Sequence, residues 1–234
     1  MSHTNLKLAA CLTLVALITS NAAFAQNEAA QPLKSSADTG AVDDSAESIK
    51  LRKGPGDPVA GRDKSQLCQG CHGEFGDSTE PAIPKLAGQY GKYISKQVRN
   101  YQSGIRSHQI MNAMAATLTD EDLADVSAYF ASQAKMKGDH SAENPIGKNL
   151  FLYGDLPKMR LACVGCHGVR GKGLDPNTSM FPVIGGQHKE YIRLQLVNFR
   201  DGYRTNSQNG IMTRIANSLT DTEIESLAEY VSVQ

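Results

Sequence analysis

Tryptophan is absent from this chain, and aromatic residues of every kind make up only 6% of it. With hydrophobic residues at 40%, a core built from side chains alone would be thin, which leaves room for a non-protein group to fill part of it. An excess of charge is missing too. The 24 Lys and Arg balance 24 Asp and Glu, so no polybasic surface for nucleic acid or an anionic membrane is expected, and overall charge steers no partner. No apolar run reaches the roughly 20 residues that a membrane-spanning helix needs. What remains is 234 residues, enough for one large domain or two small ones.

The start of the chain reads as an address. Lys7 precedes an apolar run from Leu8 to Ile18, and small residues end in Ala23-Phe24-Ala25, the three regions of a secretory signal peptide with an A-x-A cleavage site. Residues 1–25 are therefore expected to be removed after Ala25, giving a periplasmic protein. Leu8-Ala9-Ala10-Cys11 also has the form of a lipoprotein box, but cutting there would leave most of the apolar stretch on the mature chain. From Gln26 to Pro58 the composition turns to Ala, Asp, Ser, Gly, Pro and Lys without an aromatic residue. Such a stretch buries too little apolar surface to offset its ordering entropy, so 26–58 is expected to be a disordered linker, a tether or a plain extension.

The rest of the chain repeats itself. Cys68-Gln69-Gly70-Cys71-His72 returns as Cys163-Val164-Gly165-Cys166-His167, "PKLAGQ" from Pro84 returns as "PVIGGQ" from Pro182, and "YISKQVRNY" from Tyr93 returns as "YIRLQLVNF" from Tyr191. Gly104 and Arg106 pair with Gly202 and Arg204, and Leu118-Thr119-Asp120 with Leu219-Thr220-Asp221. Slips of register between these blocks mark short loop insertions in a duplicated unit. Two domains follow, over 59–137 and 138–234.

Within each copy the periodicity is helical. Tyr90, Tyr93, Ile94, Val98 and Tyr101 recur at helical spacing, as do Tyr191, Ile192, Gln195 and Phe199; Leu123, Val126 and Phe130 match Ile224, Leu227 and Val231. Thr119 with Asp122 and Thr220 with Glu223 form capping-box patterns that open the last helix of each copy. Asn144 followed by Pro145 suits an N-cap and first helical position. No alternating strand pattern is present, so the class is all-α.

Four of the five cysteines lie in the two Cys-x-x-Cys-His motifs, and the fifth, Cys11, leaves with the signal peptide. In an exported chain this is the attachment pattern of c-type haem: two thiols at this spacing each form a thioether to one porphyrin, and the adjacent His presents a ring nitrogen to its iron. A zinc site would require the two halves to converge, and a redox disulfide has no use for the His that follows. Two covalently bound haem c groups are expected, on Cys68, Cys71 and His72 and on Cys163, Cys166 and His167. The duplication also selects the ligand for the opposite face of each iron. Of seven methionines, Met136, Met159 and Met180 have no counterpart in the other copy and Met114 aligns with Ile215, whereas Met111 aligns with Met212. His108, His140 and His188 are not duplicated, since His108 aligns with Asn209 and His188 with Tyr90. They read as surface or loop residues.

These motifs, with the tails "MNAMAATLTDEDLADVSAYF" and "IMTRIANSLTDTEIESLAEY", resemble the cytochrome c4 family over roughly residues 59 to 234. The resemblance implies two tandem class I cytochrome c domains face to face across a pseudo-twofold axis. It also implies His72 and Met111 on one iron, His167 and Met212 on the other, and the carbonyls of Pro84 and Pro182 accepting the ring N–H of each His. Arg106 and Arg204 are candidates for pairing with the haem propionates, the alternative being solvated loop arginines. Gly88-Gln89 and Gly185-Gly186-Gln187 are expected to shape the loop over each haem. The chain departs from the pattern in its long segment before residue 59 and in the loop 154–162 before Cys163.

A His/Met pair saturates iron and leaves no site for oxygen or peroxide, so the expected function is single-electron transfer rather than catalysis. The resemblance implies a carrier between respiratory-chain redox proteins, from a quinol-oxidising complex to a terminal oxidase, held at a membrane only through a partner or the tether. The alternative is the haem subunit of a periplasmic dehydrogenase. A dihaem peroxidase would need one displaceable ligand, against which the two equivalent methionines argue.

Overall fold

The computed structural model describes residues 56–141, 144–175 and 180–234. The expected signal peptide, its cleavage site and nearly all of the expected linker lie outside these. The described residues form ten α-helices and no strand apart from one isolated bridge, Asp155 to Arg160.

Five helices build the first half: α1 (Pro58–Lys64), α2 (Gln66–His72), α3 (Gly91–Gln102), α4 (Gln109–Ala116) and α5 (Asp120–Ser132). Five more repeat the order: α6 (Pro145–Tyr153), α7 (Val164–His167), α8 (Lys189–Arg200), α9 (Ile211–Ala216) and α10 (Asp221–Ser232). Their starts follow from local chemistry. The Asp57 side chain accepts from Val59 N–H ahead of Pro58, and the Asn144 side chain accepts from Ile146 and Gly147 N–H ahead of Pro145, which satisfies donors that the first turn leaves unpaired. Both capping boxes are formed, Thr119 with Asp122 and Thr220 with Glu223.

In each half the first helix crosses the last, α1 on α5 and α6 on α10, while the long middle helix packs on the last and on the short fourth. A glycine permits each crossing: a Cβ on Gly61 would lie 2.0 Å from the Asp125 carbonyl oxygen, and one on Gly147 2.0 Å from that of Ser226. The periodic apolar residues fill the space beneath. Ile94, Val126, Tyr129 and Phe130 form one core, and Leu150, Phe151, Ile192, Ile224, Leu227 and Val231 anchor the other. Tyr90, Met136 and Val183 make a third cluster that joins the halves. Asp125 is buried in the first half, where it accepts from Asp57 N–H at 2.7 Å and from Lys64 Nζ at 2.8 Å. Its counterpart in the second half is Ser226.

Candidate functional site

Each Cys-x-x-Cys-His motif ends a short helix. Gly73 and Gly168 follow the histidines with φ of 86° and 75°, a turn that a side chain would strain. It sends the chain outward and leaves His72 and His167 buried. The carbonyl of Gly76 then accepts from Leu86 and Ala87 N–H, and that of Gly171 from Ile184 and Gly185 N–H. These paired bonds hold the Pro84 and Pro182 loops against the motif helices. His72 Nδ1 lies 2.8 Å from the Pro84 carbonyl oxygen, and His167 Nδ1 lies 2.9 Å from that of Pro182. A carbonyl only accepts, so each Nδ1 carries the proton and each Nε2 keeps its lone pair. Burial lowers the pKa of both rings, and the carbonyl bonds oppose it.

The four cysteines are free thiols. Burial raises the pKa of Cys68, and raises Cys163 to about 11. That is the opposite of the acidic thiolate of a redox-active Cys-x-x-Cys.

In the second half, Cys163, Cys166, His167 and Met212 line one cleft, whose walls include Phe151, Ile192, Leu196 and Leu227. The edge of Phe181 meets His167 with ring centroids 6.4 Å apart. The sequence-selected residues of this half thus converge on an apolar cleft. In the first half Cys68 packs against the core that contains Phe130, and Met111 lies on α4, in the position that Met212 holds on α9.

Arg106 and Arg204 are not solvated loop residues. They are buried between the two halves. Arg106 donates to Gln97 Oε1 at 2.7 Å and to Tyr191 Oη and Gln195 Oε1 at 3.0 Å each. Arg204 donates to Gln195 Oε1 at 2.7 Å, Tyr93 Oη at 2.9 Å and Gln97 Oε1 at 3.1 Å. All these partners are uncharged, and neither guanidinium forms an ion pair among the described residues. Burial lowers the pKa of nearby Lys96, and the two arginines lower it further. Beside them Gln97 Nε2 is buried without an acceptor, and Thr213 Oγ1, next to Met212, is buried without a partner. Cations and an orphaned donor short of anionic acceptors suit a ligand that carries carboxylates. Together with the free thiols, the neutral imidazole, the thioether and the apolar cleft, they fit a covalently attached haem.

Three residues that the repeat leaves unpaired take roles the sequence reading did not specify, His108 at the exposed position expected of it. His108 caps α4, its Nδ1 accepting from Met111 N–H at 3.3 Å. His188 is half-buried, with Nε2 2.8 Å from the Ser78 carbonyl oxygen of the other half. Met136, unpaired in the repeat, is buried, and its sulfur accepts from Gln187 Nε2 at 3.4 Å. A larger omission concerns Gln89 and Gln187. Their side chains do not merely shape their own loops; each reaches the backbone of the opposite loop. The repeat showed that both were present, but not that they cross.

Residues 59–134 and 147–233 each match the profile of the family described as Cytochrome c. The chain is 40% identical to cytochrome c4 of Pseudomonas aeruginosa, covering 77% of this chain and 90% of that protein. It is 35% identical to the thiosulfate dehydrogenase electron acceptor of Stutzerimonas stutzeri, covering 71% and 78% respectively. Among solved structures, reduced recombinant cytochrome c4 from Pseudomonas stutzeri superposes with a TM-score of 0.71 at 38% identity, covering 76% of this chain and 98% of that one.

Proposed function

The chain belongs to the cytochrome c4 family, and from that premise we propose that Cys68, Cys71, His72 and Met111 hold one haem and Cys163, Cys166, His167 and Met212 the other. The protein carries two covalently bound haem c groups and is an electron carrier, not an enzyme. The observation that supports this ligand set best is the convergence of Cys163, Cys166, His167 and Met212 on one apolar cleft, with the His167 ring fixed by Pro182.

When bound, each haem supplies an iron that alternates between ferric and ferrous states by one electron. The residues around it keep that change simple. His72 with Met111, and His167 with Met212, would hold the two irons and leave no coordination position for an exogenous ligand. The Pro84 and Pro182 carbonyls orient the imidazoles and raise their basicity. The apolar walls exclude water, so few dipoles reorganise when charge changes. Arg106 and Arg204 are suited to hold the propionates at the junction of the halves.

Redox proteins are the partners. Among them a quinol-oxidising cytochrome complex as donor and a terminal oxidase as acceptor fit a respiratory role, with the chain exported to the periplasm by residues 1–25, cleaved after Ala25. Residues 26–58 would then link the export signal to domains over 59–137 and 138–234. A second reading is favoured by the 35% identity to a thiosulfate dehydrogenase electron acceptor: the same module would take electrons from a periplasmic dehydrogenase. Rapid reduction by such a dehydrogenase, together with co-purification, would select it over the first.

The ligand assignment is tested by visible spectra of the matured protein, oxidised, reduced, and reduced under carbon monoxide. Two closed irons show the weak long-wavelength sulfur-to-iron band at two-haem intensity and no change with carbon monoxide. Rapid carbon monoxide binding at either haem would overturn the Met assignment there.

A further inference from the structure

One peptide group connects each motif histidine to a glutamine of the opposite copy. The Pro84 carbonyl oxygen faces His72 Nδ1 at 2.8 Å. The N–H of the same peptide, on Lys85, donates to Gln187 Oε1 at 2.9 Å, and Gln187 Nε2 returns a bond to the Lys85 carbonyl at 2.9 Å. In mirror fashion, the Pro182 carbonyl oxygen faces His167 Nδ1 at 2.9 Å. The Val183 N–H donates to Gln89 Oε1 at 2.9 Å, and Gln89 Nε2 donates to the Val183 carbonyl at 2.8 Å. Because one backbone N–H and one backbone C=O face each side-chain amide, its orientation is fixed by chemistry. Each Oε1 also accepts from the next amide of its own chain segment, Tyr90 at 3.0 Å and His188 at 2.9 Å, which holds it in place. Both glutamines are 5% exposed, so water does not compete for these bonds.

We propose that Gln89 and Gln187 are crossed positioning residues, each tuning the axial histidine of the copy to which it does not belong. The physical link is the conjugated peptide between them. A peptide whose N–H is already donating becomes a stronger acceptor at its C=O, by about 10–30% per bond in condensed-phase estimates. A stronger acceptor draws the Nδ1 proton, raises the electron density at Nε2 and stabilises the more highly charged ferric iron. Gln89 thus lowers the potential of the haem on Cys163 and Cys166, and Gln187 that of the haem on Cys68 and Cys71. The contact that joins the halves also sets their redox levels, so a movement at the junction alters both. Own-copy groups do not substitute, because Val183 N–H and Lys85 N–H are the donors that the crossed amides take up.

This inference rests on His72 and His167 being the axial ligands. The test is redox titration of Gln89→Met and Gln187→Met holoproteins, with the two haems resolved and assigned by NMR. Met keeps the length and shape of the side chain but removes the amide. Gln89→Met is expected to raise the midpoint potential of the second-copy haem and leave the first unchanged, and Gln187→Met the converse. In the reduced protein labelled with isotopic histidine, the Nδ1–H signal of the opposite histidine moves with it. A shift confined to the variant's own haem, equal shifts of both haems, or no shift would overturn the proposal. If the Met variant fails to accumulate, Gln89→Glu carries the test: it offers Val183 N–H a stronger acceptor and is expected to move the second-copy haem the opposite way, with a null or upward shift counting against the relay. The ligand assignment is read separately, from the labelled wild-type spectrum, which must show two histidine rings displaced by the haem ring current. With both present, absence of crossed shifts defeats the relay alone.

Discussion

Arg106 of the first half donates from Nη2 to the hydroxyl of Tyr191 in the second at 3.0 Å, and Arg204 returns the bond to Tyr93 at 2.9 Å. Burial works to raise the Tyr191 phenol, but Arg106 and Arg204 outweigh it and hold its pKa below the ordinary tyrosine value. Hydrogen bonds to a charged donor are worth about 1.5–3 kcal/mol each. Tyr191→Phe is therefore expected to lower stability by about 2 kcal/mol. A double-mutant cycle with Arg106→Leu should give a coupling energy of similar size, measured by denaturant unfolding of the holoprotein. Additive losses would show that the two residues do not act as a pair.

Met111→Ala and Met212→Ala should each open one iron. The expected spectrum keeps about half of the sulfur-to-iron band, and the reduced protein binds carbon monoxide at one haem while the other stays closed. A variant that retains the full band would show that another group supplies the sixth ligand in that copy.

Alanine at Gly61 or Gly147 sets two effects against each other. In a free helix, Gly to Ala gains about 1 kcal/mol. Here the new Cβ would meet a carbonyl oxygen of the crossing helix at 2.0 Å, and overpacking of that kind costs about 1–3 kcal/mol or more. The clash should win, so both substitutions lower the melting temperature. An unchanged or raised value would mean that the helices separate at little cost.

The acid limb of stability has a named contributor in Glu223. Burial works to raise its carboxyl, but the bonds from Arg160 and Thr220 prevail and hold it at about 2, against an ordinary 4.5. Arg160 Nη1 lies 2.7 Å from Glu223. Because the folded pKa is depressed, the unfolded chain takes up the proton first as pH falls. The contribution is complete above about pH 4.5 and is lost toward pH 2. Allowing for partial exposure, it amounts to about 1–2 kcal/mol. Glu223→Gln should flatten the stability profile between those values, read from thermal melts at stepped pH. An unchanged acid slope would assign it to other carboxylates.

Much of this molecule was legible from local pattern. The caps at Asn144, Thr119 and Thr220 depend on residues within a few positions of each other, so sequence spacing predicts their geometry. The repeat did similar work at longer range: pairing Met111 with Met212 separated candidate ligands from Met136, which instead fills the junction. The loop 154–162 was visible as an insertion, but not its bridge between Asp155 and Arg160 or the anchoring of Arg160 by Glu223, since neither is a periodic signal.

The sequence by itself determined that the chain carries two haem-attachment motifs, because covalent spacing fixes two thiols and an imidazole on one short segment wherever that segment lies. It also determined the helical class, because apolar periodicity and caps are properties of contiguous residues. Only the tertiary structure decided what the polar repeats do. Arg106, Arg204, Gln89 and Gln187 are duplicated, and duplication does not say whether a side chain serves its own copy or the other. Packing the two halves together removes water from these groups, and a buried donor or acceptor must then take the partner that geometry offers. For all four, that partner includes a group on the opposite half.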